Sequence, residues 1–141
     1  MGHSGNPRVI SIRAHNDQLF ILMYNQSYNQ LAIPDVTNKR ITLYTPAGEV
    51  IRHIQCAEIA ADTNVSMCEY DDNSVIISCS CSPAQVFKFN LTSGAVEWTN
   101  TEIRDPTTVR CYGQYVLVSG ACTKQTHISI IDSEAGGMRL H

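Results

Sequence analysis

Apolar and polar residues alternate in short bursts along most of this chain, and three of the bursts share one layout. Ile41-Thr42-Leu43-Tyr44 leads through a turn to Gly48-Glu49-Val50-Ile51. Val86-Phe87-Lys88-Phe89 leads through a turn to Gly94-Ala95-Val96-Glu97-Trp98, and Ile128-Ser129-Ile130-Ile131-Asp132 to Gly136-Gly137-Met138. A period of two marks strands, so each layout reads as strand, turn, strand. Extending the pattern predicts strands at 9–13, 18–24, 40–44 and 49–54, then at 66–70, 74–78, 85–91 and 95–99. A third set falls at 107–112, 115–119, 127–132 and 137–140. Asn16-Asp17, Asp71-Asp72-Asn73 and Gly113-Gln114 read as hairpin turns, because Asn, Asp and Gly tolerate left-handed backbone. The stretch 25–34 reads as a long loop. The one helix-like stretch, 56–62, is too short to stand alone and reads as a connection.

The turn glycines stand 46 and 42 residues apart. Four-strand units repeating at this spacing predict an all-β, β-propeller-like array of about three four-stranded antiparallel blades. The blades are expected near 7–56, 64–102 and 106–141, after a disordered tail at 1–6. A blade cannot bury both faces by itself, so an arc of three leaves apolar faces open. The expectation is a piece of a longer propeller, favoured by a third outer strand that has barely begun at His141. The alternative is a homodimer that closes a ring. Either way, a lone monomer exposes a large apolar patch.

Composition narrows the function classes. Of the 141 residues 43% are hydrophobic and 16% charged, and the net charge is −3. No basic run exists, which argues against a nucleic-acid partner, since phosphate contacts need clustered Lys and Arg. The longest apolar run, 19–23, is too short to span a bilayer, and the N-terminus lacks the pattern of a signal peptide. A cytoplasmic location follows as the expectation, and the sequons at Asn25, Asn64 and Asn90 then read as chance matches. The six cysteines, at 56, 68, 79, 81, 111 and 122, lack zinc-ligand spacing and read as free thiols of a reducing compartment.

The segment from Arg40 to Ile54, RITLYTPAGEVIRHI, resembles an NHL-type blade. The segments Val86 to Thr99 and Pro106 to Gly120 resemble blades of the six-bladed propellers that end tripartite-motif (TRIM) ubiquitin ligases, particularly invertebrate ones. In kind the blades are also WD40-like and YVTN-like. The likeness covers roughly 7–140. It implies the partner-recognition part of such a protein; the Cys/His spacing of the ligase segments is missing, so ligase activity is not implied. The Asn-Arg-like turn of NHL repeats has one near match, Asn38-Lys39-Arg40.

Candidate chemistry is sparse. His53 and His127 lie on strands of different repeats and read as surface histidines; Asp71-Asp72 reads as a turn. No G-x-S-x-G elbow or phosphate loop occurs. No catalytic residue, cofactor or metal site is expected. Trp98 reads as a blade-packing residue. The segment 25–34 is the most distinctive non-repeating feature, and exposed Tyr is favoured at interfaces. Tyr24, Tyr28, Asn29 and Gln30 are therefore the candidate partner-contact residues. The expected function is a non-catalytic protein-interaction module that presents propeller loops to a protein partner. The rivals are a fragment of a calcium-dependent propeller lactonase, which needs a bound metal, and an RNA-binding NHL propeller, which needs a basic face.

Overall fold

The computed structural model describes residues 8–15, 18–25, 30–59, 65–71, 73–80, 84–122 and 125–140. The predicted tail at 1–6 and the turn at Asn16-Asp17 lie outside them. Thirteen strands form three antiparallel sheets among the described residues. The first sheet is β1 (Arg8–His15), β2 (Gln18–Asn25), β3 (Gln30–Asp35), β4 (Arg40–Tyr44) and β5 (Val50–Gln55). The second is β6 (Val65–Glu69), β7 (Ser74–Cys79), β8 (Gln85–Asn90) and β9 (Val96–Asn100). The third is β10 (Pro106–Tyr112), β11 (Tyr115–Cys122), β12 (Gln125–Asp132) and β13 (Met138–Leu140). Within each sheet, chain order equals spatial order, so every sheet is a meander.

Burial identifies the middle sheet. Every residue of β6 and β7 is buried, as is the centre of β8, because this sheet is covered on both faces. Their near-continuous apolar runs are what two-sided burial demands. One face carries Met67, Ile77 and Phe87 across neighbouring strands; the other carries Cys68, Ile76, Lys88 and Trp98. Phe87 and Phe89 meet edge to face at 6.4 Å between ring centres. The strands β2, β6 and β10 lie side by side as the inner members of consecutive sheets.

That arrangement corrects the predicted phase of the first repeat. Its four-strand unit is β2–β5, and β1 is an additional strand on the inner side. The segment 25–34 is not a loop throughout, since Gln30–Asp35 is the strand β3. Pro34 disguises it, yet Pro34 lies beyond the last β2–β3 pair, Met23 with Ala32. A missing N–H there breaks no bond to β2. The β3–β4 turn is held by the Asp35 carboxylate, which accepts from the backbone N and side-chain Nδ2 of Asn38 and from Arg40 Nε at 3.1 Å.

The repeat extends to fine geometry. In all three sheets the outermost pair of strands carries an irregularity at the third residue after the turn glycine. Ile51, Glu97 and Arg139 are the extra residues that have no partner in the register. Gly48, Gly94 and Gly136 have φ of 93°, 75° and 77°, a region that glycine enters without a steric cost.

Adjacent sheets are latched through these turns. Arg52, four residues after Gly48, donates to the carbonyl of Leu91, three residues before Gly94. Trp98, four residues after Gly94, donates through Nε1 to the carbonyl of Ser133, three residues before Gly136, at 2.9 Å. Two residues further along, Ile54 lies against Gly94, and Asn100 Nδ2 donates to the Gly136 carbonyl at 2.9 Å.

Candidate interaction surface

The outward face of the third sheet is uncovered. Along β10 and β11 burial alternates: Val109, Val116 and Val118 turn towards the second sheet, with Ile131 of β12 beside them. The residues between them form three cross-strand rows, Thr108–Ser119–Ile128, Arg110–Leu117–Ile130 and Tyr112–Tyr115–Asp132. Tyr112 is 75% exposed and Ile128 59%, whereas Leu117, Ile130 and Tyr115 are half-buried by their neighbours. The result is an apolar and aromatic face with one guanidinium, that of Arg110. Such a composition suits contact with another protein surface.

At the other end, the turn of the first sheet is bare. An added Cβ at Gly48 meets nothing within 4 Å, while at Gly94 and Gly136 it meets Ile54 and Trp98 of the preceding sheet. Val50 and Ile51, beside Gly48, are 52% and 41% exposed. The latch that joins the first sheet to the second, and the second to the third, thus has a vacant receiving side on the first sheet.

A groove of about 290 Å³ runs between β5 and the β8–β9 turn, lined by Arg52, His53, Ile54, Gln55 and Thr92 to Gly94. Its polar groups are engaged in structure. Arg52 bonds Leu91, His53 Nδ1 lies 2.9 Å from Thr42 Oγ1, and Asn90 Oδ1 accepts from the Thr92 and Ser93 amides. The groove is a joint between sheets.

The predicted contact residues are placed as follows. Tyr24 lies in β2 opposite Leu31, and Gln30 opens β3 opposite Asn25. Tyr28 and Asn29 lie outside the described residues. Asp71 accepts from the amide of Asn73 in the β6–β7 turn, and Asp72 lies outside the described residues. Among the described residues no three His, Cys, Asp or Glu side chains gather as a metal site. Among the described residues no helix is long and apolar enough to cross a membrane.

Sequence reasoning missed a contact between two cysteines. The sulfurs of Cys68 on β6 and Cys111 on β10 lie 2.9 Å apart across the second and third sheets. They stand 43 residues apart, within the repeat spacing, and that coincidence was the available signal.

No family model matches the chain, and no curated protein matches it. Solved structures do. The WD40 β-propeller domain of Doa1 superposes with a TM-score of 0.62 at 15% identity, covering 99% of this chain and 54% of that one. The chain has the fold of a partial β-propeller. The computationally designed Ika8 protein matches with a TM-score of 0.60 at 11% identity, over 94% of this chain and 48% of its own. BamB from Moraxella catarrhalis matches with 0.54 at 14% identity, again over 94% and 48%. The three sheets are therefore propeller blades, and the chain spans about half the length of the structures it matches.

Proposed function

We propose that this chain is a non-catalytic protein-interaction module, acting in the cytoplasm, whose first partner is a second copy of itself. The uncovered third-blade face around Leu117, Ile128 and Ile130 carries the reading. In a propeller such a face is covered by the next blade, and here the vacant Gly48 turn of a second copy supplies the matching receiving side. Two copies related by a two-fold axis would each place the third blade on the partner's first, closing a ring of six blades.

The finer reading is an NHL-type propeller of the kind that ends tripartite-motif proteins. It rests on the blade sequences at Arg40 to Ile54 and Val86 to Thr99. In that reading Tyr24, Tyr28, Asn29 and Gln30 are the residues that contact a protein substrate. Tyrosine is among the residues enriched at binding hot spots.

Light scattering during size exclusion tests the association. The expected species has twice the monomer mass of 15.6 kDa. Leu117→Lys, on the uncovered face, should return it to a monomer that keeps its far-ultraviolet circular dichroism. A wild-type chain that stays a folded monomer at about 100 µM, well above the Kd of a stable dimer, overturns the proposal.

A further inference from the structure

Cys68 and Cys111 are the same position in consecutive blades. Ser66 Oγ accepts from the Val109 amide at 3.3 Å, and two residues on, along both strands, the two sulfurs meet at 2.9 Å. Both contacts join residues 43 apart, so β6 and β10 run side by side in one register. The hydrogen bond fixes that register independently of the cysteines. The first blade has no cysteine between Arg8 and Gln55, so the second and third blades alone are paired in this way.

We propose that Cys68 and Cys111 form a modification site, a dithiol that a low-molecular-weight disulfide such as oxidised glutathione converts into a bond clamping the third blade to the second.

The order of events follows from exposure. Cys111 is half-buried, whereas Cys68 is 8% exposed. The Cys111 thiol gives up its proton to solvent, and its sulfur attacks one sulfur of the small disulfide. The small S–S bond breaks, and one glutathione leaves as a thiolate that takes up a proton. Cys68 then loses its proton, and its sulfur attacks the Cys111 sulfur of the mixed disulfide and expels the second glutathione. Two protein thiols are oxidised and one small disulfide is reduced to two thiols, so atoms and electrons balance. Contact with Cys111, followed by burial, pushes the Cys68 thiol well above the ordinary cysteine value. Cys56 donates to the Glu58 carboxylate at 3.7 Å, and Cys79 to the Glu58 carbonyl at 3.8 Å.

The bond closes a long loop between two blades and holds the open end of the arc in place. In a reducing compartment the pair remains two thiols and closes when the small-disulfide pool rises.

The test uses the whole reduced chain with oxidised glutathione at about pH 8, where thiolate begins to accumulate. Samples are quenched with iodoacetamide, digested and mapped by mass. The expected product is the Cys68–Cys111 cross-link, forming at least about tenfold faster than any other pair because the sulfurs are pre-positioned. Its formation should raise the urea midpoint, and the preference should vanish when the reaction is run in denaturing urea. A lasting glutathione adduct on Cys111 with Cys68 still open to alkylation overturns the proposal. So does faster pairing among the other four cysteines, or the same Cys68–Cys111 preference in the unfolded chain.

Discussion

Arg52 and Trp98 are the same latch in two chemical forms. Each stands four residues after its blade's turn glycine, and each donates a hydrogen bond to the carbonyl three residues before the next blade's turn glycine, at Leu91 and Ser133. A guanidinium serves at the exposed rim of the first pair of blades. An indole serves the second pair, where Trp98 is 9% exposed and packs against Gly136. A propeller blade thus grips its neighbour at the outer strand as well as through the core.

Trp98→Phe keeps an aromatic ring and removes the donor, leaving the Ser133 carbonyl without its partner beside a fully buried side chain. The expected loss is about 2 kcal/mol, the cost of an unpaired buried acceptor plus a small void. Trp98→Ala should cost about 3–5 kcal/mol. Urea unfolding followed by circular dichroism measures both. Equal stability of Trp98→Phe and the wild type would mean that the latch is ornamental and packing alone joins the blades.

Gly48→Ala and Gly136→Ala separate backbone strain from packing. Both glycines have positive φ, so alanine costs about 1–2 kcal/mol at either. At Gly48 nothing lies within 4 Å, and that is the whole cost; at Gly136 the new Cβ would sit 2.5 Å from Trp98 Cδ2. The indole must move, and the Asn100 bond to the Gly136 carbonyl moves with it. Gly136→Ala should therefore be the more destabilising by at least about 1 kcal/mol, the usual cost of overpacking. Equal losses at the two positions would show that the third-blade turn does not bear on Trp98.

The glycine spacing made the blades and their turns legible because positive φ restricts residue choice at a fixed place in every repeat. Strands β4, β5, β8 and β9 stood out for the same reason: each flanks such a turn. Strand β3 did not, because Pro34 and the polar run before it carry a loop's composition. Only the register with β2 shows that the proline sits where no bond is lost. That miss shifted the predicted phase of the first blade by one strand. The latches were illegible in principle, since Arg52 and Leu91 are 39 residues apart and meet only once two blades stack. The Cys68–Cys111 pair was legible by the repeat spacing alone, yet cysteines are ordinarily read by short motifs.

Acid should loosen the first blade through Asp35. Burial raises its pKa, but hydrogen bonds from Asn38 and Arg40, with the Arg40 charge, outweigh that and hold it below the ordinary value of 3.8. A carboxylate with a depressed folded pKa adds stability at neutral pH. That stability starts to fall near the unfolded value of 3.8 and is gone below the folded value. The ion pair is partly exposed, so the contribution is under about 1 kcal/mol. Asp35→Asn should lower stability at pH 7 and flatten its fall below about pH 4. Denaturation midpoints across that range test this; parallel curves for the two proteins would assign the acid sensitivity to other groups.

Lys88 is the most informative charge in the molecule, being 9% exposed in the middle blade. Its ammonium lies 3.3 Å from Glu97 Oε1 and 4.1 Å from the centre of the Tyr70 ring, while its stem packs in the row with Ile76 and Trp98. Two parts of the side chain can therefore be tested apart. Lys88→Met keeps the stem and discards the charge; Lys88→Ala discards both. A buried charge gains little net stability once its desolvation is counted, so Lys88→Met should cost less than about 1 kcal/mol. Lys88→Ala loses the packed stem as well and should cost about 2–3 kcal/mol. If the two variants lose the same amount, the ammonium contacts with Glu97 and Tyr70 carry the stability, and the stem is dispensable.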